Sequence, residues 1–177
     1  MWGKINGKNH PFVEHFKFVK DHASKNVHVK QTIPSPCQCV FEFQRPDYQD
    51  ALRKVYPTNE ELTADFISAY KQVLNDLYAA GCRIIQFDDC TWGAFADWFT
   101  HPEHAPALGF TREGLEKIMQ QFVQLNNAVI DGLPDDFVVQ THVCRGNYHS
   151  TWAATGGYET VADLLFTTEN VRAFFLE

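Results

Sequence analysis

The segment from His142 to Cys144 has residue types and a spacing that suit metal binding. In an extended segment, residues two apart project to the same side, so the imidazole of His142 and the thiol of Cys144 can reach one ion. Mixed nitrogen and sulfur ligands favour zinc, and a catalytic zinc site keeps one position open. Because a lone His and Cys are more often packing residues, a third ligand is needed, and Glu177 at the tip of the next predicted strand offers a carboxylate.

Two further groups could contact a substrate beside this site. Asp88 and Asp89 end an apolar run, and because adjacent strand residues point oppositely, one can face the site; we expect Asp88 to meet a cationic substrate group, the alternative being a solvated turn. Arg145, followed by Asn147, could bind a substrate carboxylate through a bidentate guanidinium contact or could brace the loop backbone.

Aromatic residues crowd the segment after the second predicted strand, which we expect to be a loop. They could form a stacking wall for a planar ligand, with Trp92 as a substrate-binding residue, or a lid packed on neighbouring helices. The members are Trp92, Phe95, Trp98 and Phe99.

The chain has five cysteines, an odd number at irregular positions, which does not suit a secreted disulfide framework. Cys37 and Cys39 form a CxC pair that lacks a second Cys or His pair nearby, so we expect reduced thiols in a loop rather than a metal site. We interpret Cys82 and Cys90 as buried or incidental.

Composition limits the class of protein. The 177 residues are 45% hydrophobic, which predicts one folded domain over 1–177, and the formal charge is -7. Without a run of Lys or Arg, neither nucleic acid nor a membrane surface is an expected partner. Without a spanning apolar stretch or a signal peptide, the expected location is cytoplasmic.

Apolar runs that alternate with segments of helical period must position these residues. A capping box at Thr58 and Glu61 and a cap at Thr111 open the long helices, and Gly81 ends the first of them. Strands are predicted at 27–33, 83–88, 136–141 and 171–176. Helices are predicted at 10–23, 47–56, 58–80 and 111–130, and a last helix follows Gly156 and Gly157 and ends at Phe166.

This alternation predicts the α/β class with a parallel sheet, since parallel neighbours need a crossover. We expect the strand 83–88 to be covered on both faces. In open sheets and in closed barrels alike, chemistry collects at the carboxyl ends of the strands. The segments TIPSPCQC, DDCTW, THVCRGN and LE should therefore meet at one edge.

Several ordered motifs, spread over about 27–177, resemble the C-terminal catalytic domain of cobalamin-independent methionine synthases. They are KQTIPSP, IIQFDD, THVCRGN followed by STWAATGGYE, and FFLE. The shorter bacterial paralogues are the more similar group. The resemblance implies a partial (β/α)8 TIM barrel with about four βα units from the middle of the barrel.

The resemblance also implies a zinc-dependent transferase of methionine biosynthesis. Such a 5-methyltetrahydropteroyltriglutamate-homocysteine S-methyltransferase moves a methyl group from a methyltetrahydrofolate to a thiol such as homocysteine. Zinc would be held by His142, Cys144, Glu177 and a Cys outside this chain, and Asp88 would contact the amino group of homocysteine. Asp89 and Cys90 stand where the family has Glu and Pro. No residue is assigned as the general acid.

A half-complete barrel leaves two expectations open. The chain is either a fragment of a longer catalytic domain or a half-barrel that pairs as a homodimer through its open sheet edges. The alternative functions are a non-catalytic fragment and a related barrel enzyme of zinc-free chemistry.

Overall fold

The computed structural model describes residues 3–105 and 111–177. Within them, four strands form one parallel sheet in the order β1-β2-β3-β4, which confirms the α/β class and the parallel pairing. The strands are β1 (Gln31–Pro34), β2 (Ile84–Asp89), β3 (Val138–Val143) and β4 (Phe174–Leu176).

The helices of the described residues lie between these strands and before the first. They are α1 (Pro11–His22), α2 (Pro36–Phe43), α3 (Gln49–Arg53), α4 (Asn59–Ala79), α5 (Thr91–Thr100), α6 (Arg112–Ile130) and α7 (Ala162–Thr168). Short 3-10 turns cover Pro46–Tyr48, Pro102–His104 and Tyr148–Ser150. None of the helices within these ranges has the length and apolar character that crossing a bilayer requires.

The long helices begin where their capping residues predict. The Thr58 hydroxyl accepts a hydrogen bond from the Glu61 amide, and the Thr111 hydroxyl accepts one from the Gly114 amide, so each cap satisfies a donor that has no partner inside the helix. Gly81 has a φ of 96° and ends α4 as expected, because glycine tolerates the left-handed conformation.

Several predicted elements need correction. Pairing of β1 starts at Gln31, which lies opposite Ile85, rather than at residue 27. The predicted aromatic loop is the helix α5, and the predicted loop with the two thiols is the helix α2, which opens at the cap Ser35. The strand β3 extends to Val143, so His142 lies inside it.

The sheet is covered on one face, whereas β2 was predicted to be covered on both. Burial alternates along β2 and β3, and the covered residues contact the helices in a core where each fully buried large side chain contributes about 1.5 to 3 kcal/mol. The opposite face, which includes Asp88 and His142, is partly exposed. The covered residues are Ile85, Phe87, Asp89, Val139, Thr141 and Val143.

Candidate metal centre

The register between β2 and β3 aligns two chemically similar triplets. Asp88 pairs with His142, and Asp89 pairs with Val143, so the next residues, Cys90 and Cys144, also come side by side. The Cys144 amide donates to the Asp89 carbonyl at 3.2 Å, which continues the pairing beyond the strand. The strand ends therefore bring together two thiols, an imidazole and a carboxyl group.

His142, Cys144 and Glu177 each place a ligand atom within 4.8 Å of the others. Nε2 of His142 lies 3.9 Å from Oε1 of Glu177. In a tetrahedral zinc site with bonds of about 2.0 to 2.3 Å, ligand atoms lie about 3.3 to 3.8 Å apart, so this cluster needs only a small contraction. The three residues predicted as ligands thus come together, and their donor set fits zinc.

The ring of His142 is oriented by a hydrogen bond on the side away from the cluster. Its Nδ1 lies 3.0 Å from the carbonyl oxygen of Phe175 on β4. Since a carbonyl can only accept, Nδ1 must carry the proton, and Nε2 of the neutral ring then has a free lone pair. A second hydrogen bond of this kind is the usual support of a metal-binding histidine.

The loop after β3 orients the other two ligands. The Arg145 amide donates to Oε2 of Glu177 at 2.8 Å, so Oε1 stays on the side of His142. The Gly146 amide donates to Sγ of Cys144 at 3.2 Å. Gly146 has a φ of 82°, and a Cβ there would lie 2.7 Å from Cβ of Ala153, so the loop conformation depends on glycine.

Gly93 allows α5 to approach the end of β3. A Cβ at this position would lie 2.7 Å from the carbonyl oxygen of Cys144, closer than van der Waals contact permits. The helix and the backbone of Cys144 therefore pack directly against each other. This contact fixes the position of Cys144 from the covered side of the sheet.

Asp88 extends the cluster on the other side of His142. Its Oδ1 lies 3.9 Å from Nε2 of His142, and this oxygen is buried without a hydrogen-bond partner among the described residues. Asp88, Cys90 and Cys144 form a second group whose ligand atoms lie within 4.8 Å of one another. A buried oxygen without a donor is suited to a cation or a cationic ligand.

Cys90 was not predicted to take part. Burial, followed by the charge of Cys144, raises the pKa of the Cys90 thiol to about 12, and the sulfur atoms of the two cysteines lie within 4.8 Å of each other. The signal in the sequence was the similar form of DDC and HVC, each with a donor residue two positions before a cysteine. Only the strand register shows that the two triplets are neighbours.

Two of the predicted substrate-binding residues are buried instead of facing a ligand. Trp92 is 0% exposed and packs against Phe95, which favours the packing alternative over the stacking wall. Arg145 is 7% exposed, donates to the Thr155 carbonyl at 3.2 Å and stacks over the ring of Tyr158, which favours loop bracing. In both cases the sequence placed the residue near the end of a strand. It did not indicate whether the side chain would be buried in the protein or would face a ligand.

A polar network lies behind the sheet at the same strand ends. Asp89 is 0% exposed and accepts hydrogen bonds from the thiol of Cys37 at 3.0 Å and from the amide and hydroxyl of Thr91. The Asn126 amide group donates to Oε1 of Glu169 at 2.9 Å. Burial, followed by the charge of Asp89, raises the pKa of Glu169 to about 8. Cys37 is a free, buried cysteine of this network and lies in α2 rather than in the predicted loop.

The chain is similar to several longer proteins. No family model matches the chain. The chain is 37% identical over 175 residues to the uncharacterized protein YxjH of Bacillus subtilis (strain 168), and 32% identical over 177 residues to the uncharacterized protein YxjG of the same strain. Each alignment covers 99% of this chain and 44% of the relative.

Among solved structures, a proposed vitamin-B12-independent methionine synthase from Listeria monocytogenes superposes with a TM-score of 0.68 at 31% identity. That match covers 98% of this chain and 46% of the Listeria chain. The chain therefore spans less than half the length of these relatives. Over nearly its whole length it is similar in sequence to YxjH and YxjG, and in fold to the Listeria protein.

Proposed function

We propose that this chain carries the metal-binding part of a zinc-dependent methyltransferase that moves a methyl group from a methyltetrahydrofolate to a thiol such as homocysteine. Support comes from the fold shared with the Listeria protein and from the motifs that resemble cobalamin-independent methionine synthases. The observation that carries the proposal is the cluster of His142, Cys144 and Glu177. A hydrogen bond orients the side chain of each of these three residues. Each side chain still has a lone pair that could bind a metal ion.

The chemistry of the cluster suits thiol activation. A free thiol has a pKa near 8.5 and is mostly protonated at neutral pH, so a zinc ion held here would supply the Lewis acidity that favours the nucleophilic thiolate. His142, Cys144 and Glu177 would hold zinc, and Asp88 faces the same side of the sheet. The buried oxygen of Asp88 without a donor would accept hydrogen bonds from the amino group of an amino-acid thiol.

The partly exposed face of the sheet also fits a place within a barrel. We propose that this face belongs to the interior of a (β/α)8 barrel, because the helices cover the other face and the reactive side chains stand at the carboxyl ends of the strands. Among the described residues β1 and β4 form the edges of the sheet. Further strands, or a second copy of the chain, would pair there.

The test compares zinc content and methyl transfer in the wild-type chain, in Cys144→Ser and in Cys39→Ser. Cys39 is a matched thiol that bonds to the Tyr70 hydroxyl outside the cluster. We expect about one zinc per chain by elemental analysis in the wild type and in Cys39→Ser, and loss of zinc in Cys144→Ser. Methylated thiol should form from homocysteine and methyltetrahydrofolate only in the zinc-bound proteins.

The outcomes separate the alternatives. Absence of zinc from the wild-type chain after loading with zinc salts would overturn the metal site and favour zinc-free chemistry. Stoichiometric zinc without methyl transfer would retain the site and contradict the proposed reaction for this chain.

A further inference from the structure

The thiol of Cys90 has an environment that differs from that of the other cysteines. It is the N-cap residue of α5, yet its sulfur makes no capping bond to the helix. Its amide donates to Oε1 of Gln38 at 3.0 Å, which fixes the backbone, and its sulfur lies within 4.8 Å of the sulfur of Cys144. The sulfur is therefore directed at a predicted ligand and away from its own helix.

We propose that Cys90 is a ligand of the same metal ion as Cys144, so that this chain supplies a site with two sulfur ligands. The proposal rests on the proposed metal site and replaces the expectation that a second cysteine ligand must come from outside this chain. Two observations carry it: the aligned register of the two triplets, and the group formed by Asp88, Cys90 and Cys144, whose ligand atoms lie within 4.8 Å of one another.

Physical chemistry favours sulfur over oxygen for this position. Cys90 and Asp88 both place a ligand atom within 4.8 Å of Cys144. Thiolates are common ligands of structural and catalytic zinc, and the N-terminus of a helix stabilises a negative charge on a cysteine at its cap. Although Oδ1 of Asp88 is buried, its side chain as a whole is 46% exposed, whereas the sulfur of half-buried Cys90 lies within 4.8 Å of that of Cys144.

The experiment replaces zinc with Co²⁺ and measures the near-ultraviolet charge-transfer absorption, whose intensity rises with the number of thiolate ligands. The proteins are wild type, Cys90→Ser, Cys90→Ala, Cys144→Ser and the control Cys39→Ser. We expect the absorption per bound ion to fall by about half in both Cys90 variants and to stay unchanged in Cys39→Ser. Zinc affinity, measured by competition with a chromophoric chelator, should fall at least about tenfold in the Cys90 variants.

A second measurement does not depend on the metal spectrum. Alkylation of the wild-type chain with iodoacetamide, followed by peptide mass spectrometry, should show Cys90 protected when zinc is bound and modified when it is removed. Asp88→Asn tests the alternative that Asp88, rather than Cys90, is the additional ligand. If Cys90 is the ligand, this variant should leave the Co²⁺ absorption unchanged. Circular dichroism of each metal-free variant checks that it is folded.

Failure of this proposal differs from failure of the metal site. If the wild type binds one ion and both Cys90 variants retain full absorption and affinity, Cys90 is not a ligand and the site of His142, Cys144 and Glu177 stands. If the wild type binds no ion, both proposals are wrong. If the Co²⁺ absorption per bound ion is about half that of the wild type in both Cys90→Ser and Cys90→Ala, the two-sulfur site is supported.

Discussion

Asp88 and Asp89 are neighbours in the chain, but they belong to two regions of opposite character. Asp88 lies on the partly exposed face, where one of its oxygens has no hydrogen-bond donor among the described residues. Asp89 lies on the covered face, where it accepts hydrogen bonds from Cys37 and Thr91. The same functional group serves ligand binding on one face and structural support on the other, because strand residues alternate.

Each region also contains a thiol and a glutamate. The partly exposed region has Cys144 and Glu177, whose ligand atoms lie within 4.8 Å of each other, and the covered region has Cys37 and Glu169. In the covered region the polar atoms are mostly used in hydrogen bonds within the protein, so their replacement should affect folding. In the partly exposed region the atoms remain available, so their replacement should affect ligand binding.

The largest effect is expected from comparing Asp89→Ala with Asp88→Ala. Removing the carboxyl group of Asp89 leaves the buried donors of Cys37 and Thr91 without an acceptor, which should lower the free energy of unfolding by about 3 to 5 kcal/mol. Asp88→Ala should change it by less than about 0.5 kcal/mol. Urea unfolding of both variants measures this difference, and equal losses would contradict the division into two regions.

A pH-dependent effect is expected from Glu169→Gln. The pKa of Glu169 is raised from 4.5 to about 8, so the folded state holds a proton that the unfolded state releases, and stability falls as pH rises between these values. The glutamine variant lacks this loss. Its free energy of unfolding relative to wild type should rise by on the order of 3 kcal/mol between pH 5 and pH 9.

Denaturant unfolding across this pH range tests the prediction, with the exposed Glu159→Gln as a control for loss of one charge. Parallel pH curves for wild type and Glu169→Gln would show that Glu169 does not titrate in this interval.

The smallest effect is expected from Glu177→Gln, which keeps one oxygen but removes the charge of a ligand. Metal affinity should fall about tenfold, equivalent to about 1.4 kcal/mol, while stability of the metal-free chain stays the same. Glu169→Gln is the matched glutamate in the other region and should leave metal affinity unchanged. Chelator competition measures both, and a similar loss in Glu169→Gln would mean that the two regions act as one unit.

Local signals in the sequence were sufficient for the helices α4 and α6, because their caps Thr58 and Thr111 bond to residues three positions away. The ligands His142 and Cys144 share a face for an equally local reason, the alternation of a strand. The helix α5 was missed, although Trp92, Phe95 and Phe99 have helical spacing, because the crowded aromatic residues were interpreted as a loop.

The rest depends on relations between distant segments. Cys90 joins the site only because β2 and β3 pair with Asp88 beside His142, and one sequence does not fix the register of two strands. The burial of Arg145 depends on Thr155 and Tyr158, which the loop after β3 brings back to it. The raised pKa of Glu169 likewise depends on its burial by distant segments and, to a smaller extent, on Asp89, eighty positions earlier in the chain.

Val143 lies between the two proposed ligands of β3 and is fully buried in the core. Its burial fixes the rotation of the strand about its own axis, and a slip of one residue would exchange the valine for the two ligands. We expect a larger or smaller side chain at this position to shift His142 and Cys144 together. The volume of the core and the geometry of the proposed metal site are therefore coupled through one side chain.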